Sequence, residues 1–204
     1  MGIVIHSTKT QATMAADPVP TREYDAPPID VALADESLSA VEKLFAICRM
    51  WLDEYNLPKL KALIAENPDL VELLATAADP EKEGTAMHWL ALNSRVESMK
   101  YLASLGVSFT VLTPKTKMQP LHWACTSPHG LNAIQFLLEE KVDINAVDGH
   151  GKTGLMIAAQ HNQVETLTLL WSEGGDDALL DSEGDSVCSL TAGLSVPWPS
   201  MAFR

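Results

Sequence analysis

A short motif recurs in this sequence at a fixed spacing, and this repeat limits the possible folds more than any other feature. The three copies begin at Thr85, Gln119 and Thr153, which are 34 residues apart. A second apolar segment with helical periodicity follows each copy: Val96, Met99 and Leu102, then Leu131, Ile134, Leu137 and Leu138, then Val164, Leu167 and Leu170. A unit of this length cannot bury its own apolar face, so the units must stack on one another.

The content of each copy points to one type of repeat. A turn, two short helices and a Thr-Pro-Leu-His-x-Ala core, at a period near 33 residues, are the signature of ankyrin repeats. Threonine suits the N-cap of the first helix, and proline suits its first position. Alanines let neighbouring helices approach closely: Ala91, Ala124, Ala158 and Ala159. The sequence therefore predicts an all-α fold, an ankyrin-repeat solenoid of helix-turn-helix units joined by short hairpin loops.

The composition changes along the chain and divides it into a leader, a first unit, the repeats and a tail. Four prolines and no apolar periodicity predict a disordered leader: Pro18, Pro20, Pro27 and Pro28. The predicted boundaries are 1–36 for this leader, 37–80 for N-terminal helices that form a degenerate capping repeat, 81–113, 114–147, 148–180 and a partial 181–189 for the repeats, and 190–204 for an irregular tail.

Three helices are predicted within the first unit. Ser37 or Ser39 offers the N-cap of a helix that runs to about Glu54. A second helix begins at Pro58 and is stopped by Asn67-Pro68. A third, short helix is expected from Asp69 to Ala78.

Two positions depart from the repeat pattern. Lys117 stands where a turn glycine is expected, and the fourth unit loses its pattern after Cys188. Because no second helix can follow there, we expect the apolar side chains of this unit to be thinly covered: Leu179, Leu180, Val187 and Leu190. The array would then end without the polar cap that repeat proteins normally need for solubility.

The charge and the cysteines exclude several functions. A formal net charge of −13 makes nucleic acid and anionic membrane surfaces poor partners, since both attract a basic face. No apolar run reaches the roughly 18 residues of a membrane span, so we expect no membrane insertion. Cys48, Cys125 and Cys188 lie far apart, which argues against a disulfide framework or a zinc site and fits a reducing, cytoplasmic compartment.

The acidic residues are concentrated near the C-terminal end of the repeats. Between Gln160 and Asp185 the chain has several carboxylates and no lysine or arginine: Glu165, Glu173, Asp176, Asp177, Asp181, Glu183 and Asp185. Such a segment either attracts a basic partner or forms solvated loops, and solvated acidic loops are commoner.

Three segments resemble one group of ankyrin proteins. Met87 to Val96, Pro120 to Ala124 and Leu179 to Ser186 are similar to the N-terminal ankyrin region of the DHHC-type protein S-acyltransferases, membrane enzymes that transfer palmitate to cysteine. The resemblance covers about Leu44 to Val187. It implies a recognition module at the cytosolic face of endomembranes. The Asp-His-His-Cys motif of that family's catalytic part does not occur in this sequence, so we predict no catalytic residue and no cofactor.

Trp89, Asn93 and Trp123 are the predicted peptide-binding residues. The residue after the motif histidine is variable in ankyrin repeats and points toward the concave groove, and Asn93 follows Trp89 by one helical turn. An exposed ring beside an amide suits an extended peptide. The resemblance implies that Asn93 and Trp123 recognise a short proline-containing segment. The alternative is that both tryptophans pack against Tyr101, Phe109 or the first helices.

The histidines of the motif could be mistaken for metal ligands. His88 and His122 occupy equivalent positions in successive units, where the repeat pattern uses histidine to hydrogen-bond the backbone of a loop. We therefore predict a structural role for both and no metal site.

Two functions of different class are consistent with these features. In one, the chain is a protein-interaction module that recognises substrate peptides for palmitoyl transfer by a catalytic domain. In the other, it is a free-standing ankyrin adaptor unrelated to acyl transfer. Both expect a protein or peptide partner and no nucleic acid.

The absence of the catalytic motif gives a first prediction. The purified chain should not become autoacylated when it is given palmitoyl-CoA, because none of its three cysteines lies in the motif that forms the acyl-enzyme. Hydroxylamine-sensitive label on the native chain is compared with label on the denatured chain. More label on the native chain would contradict the prediction.

Overall fold

The computed structural model describes residues 29–50 and 53–191, and this part of the chain is helical. Its elements are α1 (Ile29–Ala34), α2 (Ala40–Cys48), α3 (Asp53–Glu66), α4 (Leu70–Leu73), α5 (Ala86–Leu92), α6 (Val96–Ser104), α7 (Pro120–Thr126), α8 (Leu131–Glu139), α9 (Gly154–Gln160), α10 (Val164–Ser172) and α11 (Val187–Thr191). The predicted all-α fold is confirmed.

The helices form two layers. The inner layer is α2, α5, α7, α9 and α11, each packed against the next, while α3, α6, α8 and α10 lie behind their own inner helix as the outer layer. One continuous apolar core runs through all the units. This is the solenoid that the 34-residue spacing predicts, since every unit covers the apolar face of its neighbour.

Hairpin loops precede the inner helices and also bond to one another. An isolated antiparallel bridge joins Val147 to Thr153 at the base of one hairpin. The backbone N–H of Gly149 donates to the carbonyl of Thr116 at 2.7 Å, and that of Ser182 donates to the carbonyl of His150 at 2.9 Å. Successive units are therefore joined at the hairpins as well as in the core.

The first unit differs from its predicted boundaries. Helix α1 occupies the last part of the segment predicted to be a disordered leader, because Ala32 is buried against the first unit; residues 1–28 lie outside the described part. Ser39 caps α2, as predicted, and its hydroxyl accepts from the backbone N–H of Glu42 at 3.3 Å. Three predicted bounds were wrong, because α2 ends at Cys48, α3 already begins at Asp53 and α4 has only four residues. The predicted stop at Asn67-Pro68 is confirmed, since α3 ends at Glu66.

The last described unit consists of α11 alone, and within the described residues no outer helix follows it. The expected thin cover is found at Leu180, which is 62% exposed, but not at Val187, which is 0% exposed because α11 packs against α9. Most of the predicted irregular tail, residues 192–204, lies outside the described part.

One turn position in each hairpin has a left-handed backbone. Gly151 and Gly184 take this position with φ of 76° and 85°, whereas Glu83 and Lys117 take it with φ of 63° and 54°. Lys117 therefore adopts the same left-handed backbone conformation as the glycines that occupy this position in other repeats. A residue with a Cβ in this region costs roughly 1–2 kcal/mol.

Replacing Lys117 by glycine should stabilise the protein. The relief of left-handed strain exceeds the extra chain entropy of glycine, so we expect Lys117→Gly to raise the free energy of unfolding by roughly 0.5–1 kcal/mol. Urea unfolding measures the change. Lys117→Ala is the matched control, since it removes the same side chain and keeps the Cβ. Equal stability of the two variants would contradict the argument.

Candidate functional site

Two tryptophans meet at the centre of the inner helical layer. Trp89 on α5 and Trp123 on α7 lie edge to face, with ring centroids 5.4 Å apart and planes at 75°. The His88 ring also packs against Trp123, with the two ring centroids 5.3 Å apart. Neighbouring inner helices thus bring the two predicted aromatic residues together.

The expectation that these rings face solvent was wrong. Trp89 is 3% exposed and Trp123 is 2% exposed. The hairpin before α5 lies directly on Trp123: a Cβ added to Gly84 would stand 2.3 Å from the Cη2 atom of that ring. The missing side chain at Gly84 therefore lets the hairpin backbone close over the indole.

Asn93 is engaged by the fold. This residue is the C-cap of α5, and its side-chain amide donates to the carbonyls of Cys48 at 3.1 Å and Arg49 at 3.3 Å. These carbonyls stand at the end of α2, where a helix leaves its last acceptors without partners inside the helix. In the structure, the amide that the sequence assigned to peptide binding caps the neighbouring inner helix.

The two indoles carry unused hydrogen-bond donors. The Nε1 atoms of Trp89 and Trp123 are both buried, and neither has a hydrogen-bond partner. A buried donor without an acceptor costs about 1–3 kcal/mol. Both donors belong to rings that are in contact with each other.

Sequence reasoning missed the residues around the aromatic pair. The guanidinium of Arg49 lies 5.2 Å from the Trp89 ring centroid, and it forms an ion pair with the buried carboxylate of Asp79. Asp79 also accepts the backbone N–H of Glu81 at 2.9 Å inside the hairpin. The hairpin aspartates Asp148 and Asp181 accept turn N–H groups in the same way, so their recurrence was a signal for Asp79. Arg49 had no comparable signal.

The two motif histidines hold loops, as predicted. The Nε2 atom of His88 lies 2.8 Å from the carbonyl oxygen of Met118, and the Nε2 atom of His122 lies 3.0 Å from that of Ala146. Because a carbonyl oxygen can only accept, Nε2 carries the proton and donates in both histidines. The Nδ1 atom of His88 accepts from the backbone N–H of Thr85 at 3.2 Å. Burial lowers the pKa of His88 to about 4 and lowers the pKa of His122 as well. Both rings therefore stay neutral near pH 7.

A metal site, a reactive thiol and a membrane span each place requirements on the described residues. Within 29–50 and 53–191, no group of three or more His, Cys, Asp or Glu side chains could hold a metal ion. Burial raises the pKa of the Cys48 thiol to about 12 and also raises that of Cys125, so neither thiol is a ready nucleophile. None of the helices in that part of the chain is long and apolar enough to cross a bilayer.

Comparison with known protein families agrees with this architecture. The family model for ankyrin repeats (3 copies) matches residues 59–148 and 110–181. The chain belongs to the ankyrin-repeat family, and it is a protein-interaction module.

Individual relatives confirm the resemblance to the acyltransferases. The chain is 32% identical to the putative palmitoyltransferase ZDHHC13 of Danio rerio over 61% of its length and 19% of the relative. It is 34% identical to palmitoyltransferase ZDHHC17 of Homo sapiens over 41% of its length and 13% of the relative. It is also 30% identical to ankyrin repeat and SOCS box protein 6 of Pongo abelii, over 53% of its length and 27% of that protein. The chain thus spans less than a third of each relative.

The neutral state of His88 predicts a loss of stability in acid. Its folded pKa lies below the ordinary 6.5, so the unfolded chain binds the proton first, and stability that is complete above pH 6.5 falls as the pH approaches 4. We expect His88 to cost about 2 kcal/mol of unfolding free energy between pH 7.5 and 5. Urea unfolding at both pH values measures the loss.

His88→Gln is the informative variant, and His129→Gln, which changes an exposed histidine, is its control. The loss between the two pH values should shrink in the first variant and persist in the second. An unchanged loss in His88→Gln would place the acid sensitivity elsewhere.

Proposed function

We propose that the chain binds an extended peptide segment at the inner helices, around Trp89, Asn93 and Trp123. The observation that carries this proposal is the pair of neighbouring indole N–H donors without acceptors. Both donors lie in the middle of the inner layer, where α5 and α7 meet.

The chemistry of a peptide fits these donors. Backbone carbonyls accept from indole N–H groups, and a proline in the segment adds an apolar ring without adding a backbone donor that would need its own partner. Because both indoles are buried in the free protein, binding requires a small opening of the hairpin that contains Gly84. Opening the hairpin breaks contacts of the closed form, and the free energy lost there lowers the net free energy of binding. We therefore expect moderate affinity.

The relatives suggest what such binding is for. Several of them are named palmitoyltransferases, and the chain resembles their ankyrin region without the catalytic motif. We therefore favour substrate recognition on the cytosolic side of endomembranes, serving palmitoyl transfer by a catalytic domain that these 204 residues do not contain.

A free-standing adaptor is the second candidate. The match to ankyrin repeat and SOCS box protein 6, over 53% of the chain, supports it, because that relative's name contains no acyltransferase. Reading the genomic sequence beyond the codon for Arg204 separates the two candidates. An in-frame cysteine-rich Asp-His-His-Cys region nearby would favour substrate recognition.

The peptide site is tested with Trp123→Phe. This variant removes the indole N–H and keeps an aromatic ring, so we expect about a tenfold loss of peptide affinity, equal to about 1.4 kcal/mol. A displayed library of short peptides with one fixed proline supplies the ligands, and calorimetry measures their Kd. Trp171→Phe, on the outer helix α10, is the matched control and should bind as the wild type does.

Stability is measured on the same variants. Since Trp123 is buried, Trp123→Ala should lower the unfolding free energy by about 3–5 kcal/mol, and it is therefore a poor test of binding. Asn93→Ala should cost about 1 kcal/mol, because the end of α2 loses a capping amide. The site is wrong if no peptide binds the wild type, or if Trp123→Phe binds every selected peptide with unchanged Kd.

A further inference from the structure

We infer that Arg49, at the end of α2, is the positioning residue of the aromatic site, so the degenerate first unit is part of that site rather than only a cap. Three separate contacts lead from this residue to Trp89, Asn93 and Trp123. The positioning is a property of the free protein, and only its effect on ligand binding rests on the proposed function.

The first contact runs through the aromatic rings. The Arg49 guanidinium stands 5.2 Å from the centroid of the Trp89 ring, and that ring meets Trp123 edge to face at 5.4 Å. A cation over an indole face is attracted by the ring quadrupole, and indole is the best aromatic partner for it. Arg49 therefore holds one face of the Trp89 ring.

The second contact runs through the hairpin. The Asp79 carboxylate is fully buried and forms an ion pair with Arg49. The carboxylate of Asp79 also organises the turn. It accepts from the backbone N–H of Glu81, and from the backbone N–H of Lys82 at 3.3 Å. The same hairpin brings Gly84 against the Trp123 ring. Without Arg49, the loss of that ion pair would weaken the closed hairpin, because a buried charge without its partner is strongly unfavourable.

The third contact is made by the backbone. The Asn93 amide donates to the carbonyl of Arg49 at 3.3 Å and to that of Cys48 at 3.1 Å. Position 49 is also the C-cap of α2, and its backbone N–H donates to the carbonyl of Phe45 at 2.9 Å. The end of α2 thus holds the amide and both indoles in one arrangement.

Nuclear magnetic resonance of the indole N–H groups tests the inference without any ligand. The chain has five tryptophans, whose indole signals are assigned by single Trp→Phe changes. In Arg49→Gln we expect the signals of Trp89 and Trp123 to move and that of Trp171 to stay. The control is Lys100→Gln, which also removes a cation that pairs with a carboxylate, Glu97, and lies 5.5 Å from an aromatic centroid, that of Phe136. Unmoved Trp89 and Trp123 signals in Arg49→Gln would overturn the inference.

A double variant separates the ring contact from the hairpin contact. Arg49→Gln with Asp79→Asn still lacks the cation over Trp89 but no longer leaves a carboxylate without its ion pair. The Trp123 signal should return toward its wild-type position while the Trp89 signal stays displaced. A Trp123 signal displaced as far as in Arg49→Gln alone would overturn the hairpin part of the inference.

If Arg49→Gln does not fold, Arg49→Lys keeps the test open. Lysine can still pair with Asp79 but lacks the planar guanidinium that stacks on an indole. We then expect displacement of the Trp89 signal and a smaller displacement of the Trp123 signal than in Arg49→Gln. A wild-type spectrum in this variant would overturn the ring contact.

Ligand binding provides the second measurement. With the tightest peptide from the proline library, Arg49→Gln should raise the Kd about tenfold and Lys100→Gln should leave it unchanged. Equal Kd values for the wild type and Arg49→Gln would overturn the role of Arg49 in binding. If the library yields no binder, the proposed function fails, and the indole signals still decide whether Arg49 positions the rings.

Discussion

A buried histidine in each of the first two repeats depends on the loop before the next inner helix for its hydrogen-bond partner. The Nε2 atom of His88 donates to the carbonyl of Met118, and that of His122 donates to the carbonyl of Ala146. A buried imidazole without such an acceptor would be strongly unfavourable. The inner helices α5 and α7 therefore cannot move away from these loops without leaving the two imidazoles without their acceptors.

The repeat spacing was sufficient to predict most of this architecture. Motif position alone placed the caps, the inner helices and the histidine bonds, because these are contacts within a unit or to the adjacent loop. The ends of the helices in the first unit were less predictable. The carbonyl of Cys48 at the end of α2 accepts from the amide of Asn93 in the next unit, and no local pattern near Cys48 indicates that contact.

The candidate site also combines features that the repeat spacing predicts with features that depend on contacts between units. Trp89 and Trp123 occupy equivalent motif positions on neighbouring inner helices, where the structure brings their rings into contact. The repeat spacing could not give their exposure, which depends on how closely the hairpin at Gly84 approaches Trp123 from a distant part of the chain. The role of Asn93 as a cap and the position of Arg49 over Trp89 are also contacts between units. Reasoning from one motif at a time cannot detect such contacts.

The contact between Gly84 and Trp123 also limits how this protein can change over evolutionary time. The ring lies where any side chain at position 84 would have to stand, so a larger residue there is acceptable only after the indole has become smaller. A smaller residue at 123 alone would leave a void beneath the hairpin. Relatives that differ at one of these positions should therefore differ at both, so that positions 84 and 123 co-vary.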